Sequence, residues 1–188
     1  MGRDGTVMST KIDQKWIDQR VRRYSDLHFG VDQYLDTKIE GHSRSQANIV
    51  GHISGFKTGD PDYEGWIPDD AEFWSVIIKL PPGRTGALHD HETTEMFMPL
   101  DGKLVLTLGN DGEHEVELDV HDIASFPPGV MRGFRNPGDK DVNFLVTIGG
   151  PEMGMIKWPD EVIEKAAQVG WSEDKRGKIV ARELEPAE

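Results

Sequence analysis

The sequence predicts an all-β protein, built as a barrel or jelly roll with helices near its two ends. Between residues 73 and 148, short segments rich in β-branched and aromatic side chains follow one another at close spacing. Glycine, proline, asparagine and aspartate occupy the gaps between these segments, as tight turns require. Helical periodicity is found before and after this region. Many short strands joined by turn residues favour a closed or sandwiched antiparallel sheet.

The N-terminal part of the chain combines one helical pattern with one strand pattern. From about Lys11 to Asp26, apolar residues at i, i+4 and i+5 spacing predict an amphipathic helix. The pattern weakens after Leu27, and the apolar segment Ala47–Phe56 predicts a strand. The acidic stretch Lys57–Asp70 is predicted as a loop, because glycines and prolines interrupt it repeatedly.

The central region predicts a succession of short strands. Asn110, Asp111 and Gly112 form a hairpin signal, since these residue types tolerate positive φ. Charged and apolar residues alternate in the segment that follows this turn, as in an exposed edge strand. The predicted strands are Phe73–Leu80, Ala87–His91, Glu95–Pro99, Lys103–Leu108, Glu113–Leu118, His121–Phe126, Met131–Arg135 and Val142–Ile148.

The C-terminal part predicts a short helix and a charged tail. Glu161–Val169 is helical in pattern, with Pro159 and Asp160 before it and Gly170 as its stop signal. The tail, Arg182–Glu188, is expected to be disordered. The chain therefore divides into an N-terminal extension (residues 1–46), a β-barrel (47–150) and a C-terminal extension (151–188).

Composition excludes several classes of function. A formal net charge of −13 over 188 residues argues against binding to nucleic acid or to anionic membrane surfaces. The chain contains no cysteine, which removes disulfides, thiolate nucleophiles and cysteine-based metal sites. No apolar segment reaches transmembrane or signal-peptide length, so we expect a cytoplasmic protein.

The most informative stretch is GRTGALHDHETTEMFMPLDG, from Gly83 to Gly102. His89 and His91 are two apart, so both imidazoles project from the same face of an extended strand. Glu95 follows a short turn and is able to join that face. Two histidines and one carboxylate at one point form a facial triad that binds a divalent metal and leaves coordination positions open.

Two motifs in order resemble those of the cupin superfamily. Gly83, His89, His91, Glu95 and Gly102 match the first motif, G-x5-HxH-x3-E-x6-G, at every position. The second motif, G-x5-PxG-x2-H-x3-N, is matched within the later segment PPGVMRGFRN by three residues: Pro127, Gly129 and Asn136. The resemblance covers roughly residues 73–150.

The resemblance implies a cupin-type double-stranded β-helix, which is a jelly-roll barrel. It also implies a small-molecule substrate, a homodimer, and a solvent-reachable metal such as iron, manganese, nickel or zinc. His89, His91 and Glu95 would then be the metal ligands.

The second motif departs from the family at two positions. His121 stands where the family has a glycine that serves a turn. Arg132 stands where the family has its fourth metal ligand, a histidine. Arginine stays protonated and offers only donors, so it does not ligate a cation.

Three interpretations of Arg132 are open from the sequence. In the first, a metal binds His89, His91 and Glu95, while Arg132 lies at the rim and orients an anionic substrate as a catalytic residue. In the second, no metal binds and Arg132 forms an ion pair with Glu95 inside the barrel. In the third, Arg132 turns outward and His52 or a water completes the site.

The leading hypothesis is therefore a metal-dependent cupin enzyme that acts on a small anionic molecule, with dioxygenase chemistry favoured by the facial triad. The alternative is a metal-free cupin that binds or senses a small ligand. A metal-free sugar-modifying barrel ranks last, because that branch lacks the HxH motif. The segment around Asn136 and Arg135 is expected to make turn contacts rather than substrate contacts.

Overall fold

The computed structural model describes residues 12–51, 67, 73–150, 155–175 and 177–182. Within them the chain forms two antiparallel sheets with helices towards the ends, which confirms the predicted all-β class. The helices are α1 (Gln14–Asp18) and α2 (Asp160–Gln168). The strands are β1 (Gly30–Val31), β2 (Ser45–Val50), β3 (Phe73–Leu80), β4 (Thr85–His91), β5 (Glu95–Pro99), β6 (Leu104–Leu108), β7 (His114–Leu118), β8 (Ala124–Phe126), β9 (Arg132–Arg135), β10 (Val142–Gly149), β11 (Ile156–Lys157), β12 (Trp171–Glu173) and β13 (Ile179–Ala181).

The two large sheets enclose the hydrophobic core. Strand order is β1-β2-β3-β10-β5-β8 in one sheet and β11-β4-β9-β6-β7 in the other, and β12 pairs with β13 separately. Trp74, Phe97, Phe134 and Phe144 are buried between the sheets. Phe134 and Phe144 meet edge to face, with ring centroids 5.1 Å apart. The chain thus closes a jelly-roll barrel around an aromatic interior.

The predicted edge strand lies where its sequence pattern places it. β7 is the last strand of its sheet, and four of its five residues are exposed. β3 is the opposite case, because neighbours flank it on both sides and all its residues but Phe73 and Lys79 are buried. The alternating and the continuous apolar patterns therefore reflect edge and interior positions in the sheets.

The N-terminal helix is shorter than predicted. Its first turn is capped by Asp13, whose Oδ1 accepts from the backbone N–H of Trp16 at 2.9 Å. It ends at Asp18, and a separate 3₁₀ turn forms at Tyr24–Asp26. All five residues of α1 are exposed or half-buried. Without a buried face to pack, a short helix gains too little to extend, despite the periodic sequence.

Positive φ angles explain the motif glycines. Gly83 (φ 67°), Gly102 (φ 154°) and Gly129 (φ 86°) all lie in the region that disfavours side chains. His121, which replaces the motif's glycine, also has a positive φ, 71°. The turn geometry is therefore retained in this chain even though glycine is not.

The C-terminal extension adds strands that the sequence pattern did not indicate. β11 pairs with β4 next to His91, while β12 and β13 form a hairpin after α2. Gly170 follows the helix with φ 82°, as its predicted role as a stop requires. His52, most of the predicted acidic loop and the tail after Arg182 lie outside the described residues. In the part of the chain that is described, no helix has the length and apolar character needed to cross a membrane.

Candidate metal centre

Strands from both sheets carry the predicted site residues to one end of the barrel interior. His89 and His91 lie near the end of β4, and Glu95 begins β5. Arg132 opens β9 and pairs directly with His89 across the sheet. Because paired residues share a face of a sheet, the arginine lies beside the histidines.

The three predicted ligands converge. One ligating atom from each of His89, His91 and Glu95 lies within 4.8 Å of the other two. His91 Nε2 lies 3.6 Å from Glu95 Oε1, and His89 Nε2 lies 3.9 Å from Glu95 Oε2. Metal–nitrogen bonds of about 2 Å place neighbouring ligand atoms about 3–3.5 Å apart. The donor set is therefore close to the spacing that a metal ion requires.

The histidines are held in the form that binds metals. His89 Nδ1 lies 2.8 Å from the carbonyl oxygen of Ala87 and donates to it, which leaves the Nε2 lone pair directed towards Glu95. Burial lowers the pKa of His89, against an opposing contribution from Glu95. Burial, followed by the neighbouring His89 and Arg132, lowers the pKa of His91 well below its usual range. Both rings are thus neutral at pH 7, as metal ligands must be.

Arg132 is buried against two carboxylates. Its side chain is 0% exposed, its Nε donates to Glu95 Oε2 at 2.7 Å, and its Nη1 donates to Asp90 Oδ1 at 2.9 Å. Nη1 also donates to the carbonyl oxygen of Val130. The arginine therefore makes the ion pair of the second interpretation. It does not lie at the rim, which the first interpretation requires, and it does not turn outward, as in the third.

Asp90 is a part of the site that the sequence did not single out. It lies between the two histidines, so strand alternation turns it away from them. Its Oδ1 nevertheless accepts from the Arg132 guanidinium and from the Gly129 backbone N–H, both at 2.9 Å. The fold joins the second motif's glycine loop to the first motif's strand through this carboxylate.

The cluster carries one excess negative charge. The carboxylates of Glu95 and Asp90 share a single guanidinium, while the two imidazoles are neutral. A buried charge is costly unless it is compensated. The donor chemistry and the charge both fit a divalent cation beside His89, His91 and Glu95.

A cavity adjoins the three ligands. Its far side comes from the N-terminal extension and β2, through Tyr34, Arg44 and Gln46. Trp158 closes another side, with its ring centroid 5.5 Å from that of His89. None of these four residues belongs to either motif, so the sequence pattern did not mark them as cavity residues.

Arg44 contributes little net charge to the cavity. Its guanidinium binds the Asp36 carboxylate through two hydrogen bonds of 2.8 and 3.1 Å. It also lies 5.2 Å from the ring centroid of Tyr34 and 5.3 Å from that of Phe134. This second buried ion pair is neutral as a unit and ties the N-terminal extension to the barrel.

Asn136 has the structural role that was expected. Its Nδ2 donates to the carbonyl oxygens of Leu80 and Lys140, and its Oδ1 accepts from the Gly138 N–H. These three bonds fix the turn between β9 and β10. The asparagine of the second motif thus serves the turn and not the cavity.

Comparison with known proteins identifies the barrel. Residues 76–148 match the family model described as Cupin domain. No match was found among curated proteins. With the two motifs and the jelly-roll topology, this match supports a cupin domain at residues 76–148.

Two solved structures with TM-scores of 0.50 and 0.54 support the fold. A protein from Thermotoga maritima described as a predicted oxalate decarboxylase is 20% identical, with a TM-score of 0.50 and coverage of 69% of this chain and 98% of its own. A structure of DMSP lyases RdDddP and RnDddQII has a TM-score of 0.54 at 12% identity, covering 71% of this chain and 62% of that one. The DMSP lyase DddQ from Ruegeria pomeroyi DSS-3 matches with 19% identity and a TM-score of 0.44 over 50% of this chain. The matched region spans 46% of that lyase.

Proposed function

We propose that this protein is a metal-dependent cupin enzyme that acts on a small organic anion. The observation that carries the proposal is the convergence of His89, His91 and Glu95 at the wall of a cavity. Neutral imidazoles and a carboxylate form a donor set that suits iron, manganese, nickel or zinc. When bound, such a metal supplies a Lewis acid or, as iron, a centre for dioxygen chemistry.

The buried charge supports an anionic substrate. A divalent cation would turn the excess negative charge of the Glu95–Arg132–Asp90 cluster into an excess positive one. A singly charged anion at the open positions would then balance the site. A carboxylate or an enolate is the kind of group that meets this requirement.

Arg132 acts in this proposal on Glu95 rather than on the substrate. It occupies Oε2 of Glu95 and leaves Oε1, the oxygen nearer His91, for the metal. Held from two sides by Glu95 and Asp90, the guanidinium fixes the carboxylate's orientation. Arg132 is therefore a positioning residue, in contrast to the substrate-orienting role that its sequence position suggested.

Metal analysis tests the proposal directly. Protein purified without chelator is expected to carry about one metal ion per chain, and His89→Ala and Glu95→Gln are expected to lose it. His114→Ala is the matched control, since His114 is an exposed histidine on β7. Wild-type protein that is free of metal and takes up none of iron, manganese, nickel or zinc on titration would contradict the proposal.

Dioxygenase chemistry is the reaction class that we favour within this proposal, because a facial triad leaves adjacent positions for dioxygen and substrate. Oxygen uptake by the iron-loaded protein, measured over a panel of small carboxylates, tests it. Turnover that proceeds equally well without oxygen would instead indicate a lyase or a decarboxylase.

A metal-free ligand-binding barrel is the second candidate. The observation in its favour is the bond from Arg132 to Glu95, which satisfies one carboxylate oxygen without a metal. A thermal-shift panel separates the two candidates. Stabilisation by small carboxylic acids, with no response to metals or chelator, would support the binding barrel.

The homodimer expected from the family resemblance belongs to the same proposal. Light scattering on the purified protein tests it, and a single-chain mass would exclude it.

A further inference from the structure

Among the described residues, four side chains that border the cavity carry a buried polar atom without a hydrogen-bond partner: Arg44 Nε, Gln46 Oε1, Trp74 Nε1 and His91 Nδ1. Within the described part of the chain, Gln46 Oε1 and Trp74 Nε1 make no hydrogen bond. Both side chains are only 1% exposed, and both border the cavity beside the metal centre. Since buried donors and acceptors are almost always satisfied, each of these atoms calls for a partner inside the cavity.

Gln46 and Trp74 lie on adjacent strands and border the same cavity. Gln46 of β2 pairs with Ile78 of β3, and Trp74 lies four residues before Ile78 on that strand. Residues at even spacing along a strand share a face. Trp74, Val76 and Ile78 accordingly all border the cavity. The wall thus presents two polar atoms in an otherwise aliphatic surface.

Other polar groups at the cavity wall have hydrogen-bond partners within the protein. Trp158 also borders the cavity, but its Nε1 donates to Glu173 Oε1 at 2.9 Å. Gln46 Nε2 donates to the Tyr34 hydroxyl at 2.6 Å, which fixes the side chain with its oxygen left over. Of the four unpartnered atoms, Gln46 Oε1 and Trp74 Nε1 are the two that lie outside both the Arg44–Asp36 ion pair and the candidate metal ligands.

We infer that Trp74 and Gln46 form a hydroxyl-binding subsite, so that the substrate is a small hydroxylated organic anion. Its anionic group meets the metal centre, and a hydroxyl further along its carbon skeleton meets the Trp74 N–H or the Gln46 oxygen. This inference rests on the proposed function for the metal-binding end. The cavity is small and bounded by several bulky side chains, which favours a short-chain acid.

A hydroxyl is the group that suits both atoms. Its oxygen can accept from the Trp74 N–H, or its hydrogen can donate to the Gln46 oxygen. If the Gln46 amide is turned over, Tyr34 donates to the oxygen and an N–H is left facing the cavity. A hydroxyl serves that arrangement equally well. An aliphatic chain leaves both atoms unsatisfied, and a second charged group would be buried without a counter-ion.

Paired ligands test the subsite. Calorimetry on the metal-loaded protein compares straight-chain carboxylates of about four to six carbons with their hydroxylated counterparts. The hydroxyl is placed at the third carbon or beyond, because a hydroxyl beside the carboxylate would itself chelate the metal. We expect the wild type to bind at least one hydroxy acid about tenfold more tightly than the plain acid, as one added hydrogen bond allows.

Substitutions assign that preference to the two residues. Gln46→Leu and Trp74→Phe are each expected to weaken or abolish it while the metal and the plain acids still bind. Gln46→Leu keeps the side-chain volume, so it provides the test if Trp74→Phe fails to fold. Trp158→Phe is the matched control, since its N–H is already bonded to Glu173, and it is expected to keep the preference.

The outcomes separate this inference from the proposed function. If every hydroxy acid and its plain counterpart bind equally well to the metal-loaded protein, water rather than substrate is the hydrogen-bond partner of Trp74 and Gln46. This result would overturn the subsite alone. A preference that survives both Gln46→Leu and Trp74→Phe would also overturn it. Protein that binds no metal would overturn the proposed function, and the substrate assignment with it.

Discussion

A single substitution, the arginine at the position of the fourth ligand, determines how the site is built. Arg132 brings a permanent positive charge between Glu95 and Asp90, where the family motif has a neutral imidazole. The two carboxylates offset that charge and leave one negative charge in excess. The cluster thereby keeps an electrostatic preference for a cation although one ligand is lost.

Replacing this arginine is expected to have opposite effects on the stability of metal-free protein and on metal affinity. Arg132→His leaves Glu95 and Asp90 without their counter-ion, which we expect to lower the free energy of unfolding in chelator by about 3–5 kcal/mol. The new imidazole supplies the missing ligand, so metal affinity should rise. Urea unfolding in chelator and metal titration measure the two effects.

Arg135→His is the control for this pair of measurements. It makes the same exchange on the same strand, at a side chain that is 38% exposed and pairs with Glu115 on the surface. It should change neither quantity appreciably. Unchanged metal affinity in Arg132→His would show that the three-residue site is already complete.

The buried histidines predict a loss of stability in weak acid. Burial lowers the folded-state pKa of His42, His89 and His91 from the ordinary value of 6.5. Below about pH 6.5 the unfolded chain binds protons that the folded chain does not, so stability falls as the pH falls. Thermal unfolding in chelator between about pH 7 and pH 5 should show a decreasing midpoint.

His91→Gln is expected to make that decrease shallower, because it removes the histidine whose pKa is lowered most strongly. His114→Gln exchanges an exposed histidine and should leave the slope as in the wild type. An identical slope in His91→Gln would show that His91 is not held neutral by the fold.

At the scale of elements, the pairing of β4 with β9 sets the site. The two strands bring His89 opposite Arg132, with a register shift between Gly86 and His89. Glycines let the strands approach closely there. A Cβ on Gly133 would lie 2.8 Å from the carbonyl oxygen of Gly86, and a Cβ on Gly86 would lie within 2.6 Å of the Phe134 ring.

Gly133→Ala is therefore expected to push β4 and β9 apart. The contact is with backbone, which has little freedom to yield, so we expect a loss of about 1–3 kcal/mol in the free energy of unfolding. The variant should also bind less metal, since His89 and Arg132 lie on the separated strands. Gly149→Ala is the control, because its nearest neighbour would be 3.7 Å away, at ordinary contact distance. Equal stability of the two variants would contradict this account of the strand pairing.

At the scale of the whole molecule, the N-terminal extension packs against the barrel and supplies part of the cavity wall. Asp36 lies in a 3₁₀ turn of the extension and is fully buried. It binds Arg44 twice and also accepts from the Ala87 N–H of β4 at 3.0 Å. The extension thereby positions Tyr34 and Arg44 as cavity wall.

Asp36→Ala is expected to destabilise the entire protein. It leaves the Arg44 guanidinium buried without a counter-ion, which typically costs about 3–5 kcal/mol. Glu115→Ala breaks the exposed ion pair with Arg135 and should have little effect on the denaturation midpoint. Chemical denaturation of both variants measures the difference. A midpoint in Asp36→Ala as high as that in Glu115→Ala would mean that the extension is not anchored by this pair.

The sequence by itself determined the class of the fold, the central strands and the three candidate ligands. These features depend on residues close together in the sequence. Strand periodicity, turn residues and the fixed spacing of His89, His91 and Glu95 can be recognised without information on distant contacts. The extent of the N-terminal helix was not determined in this way. A helical pattern forms a long helix only where a partner surface buries it, and α1 has none of its residues buried.

Only the tertiary structure showed which groups Arg132 contacts. Its partners Glu95 and Asp90 are 37 and 42 residues away in sequence, and Asp90 alternates to the other side of β4 from the histidines. The cavity wall depends on the same kind of distant contact, since Tyr34, Arg44 and Gln46 lie well before the first motif in the sequence. Spacing along the chain specifies which side chains share a strand face. Packing between strands determines how the buried charges are paired. It also determines which polar atoms are left without a partner in the protein.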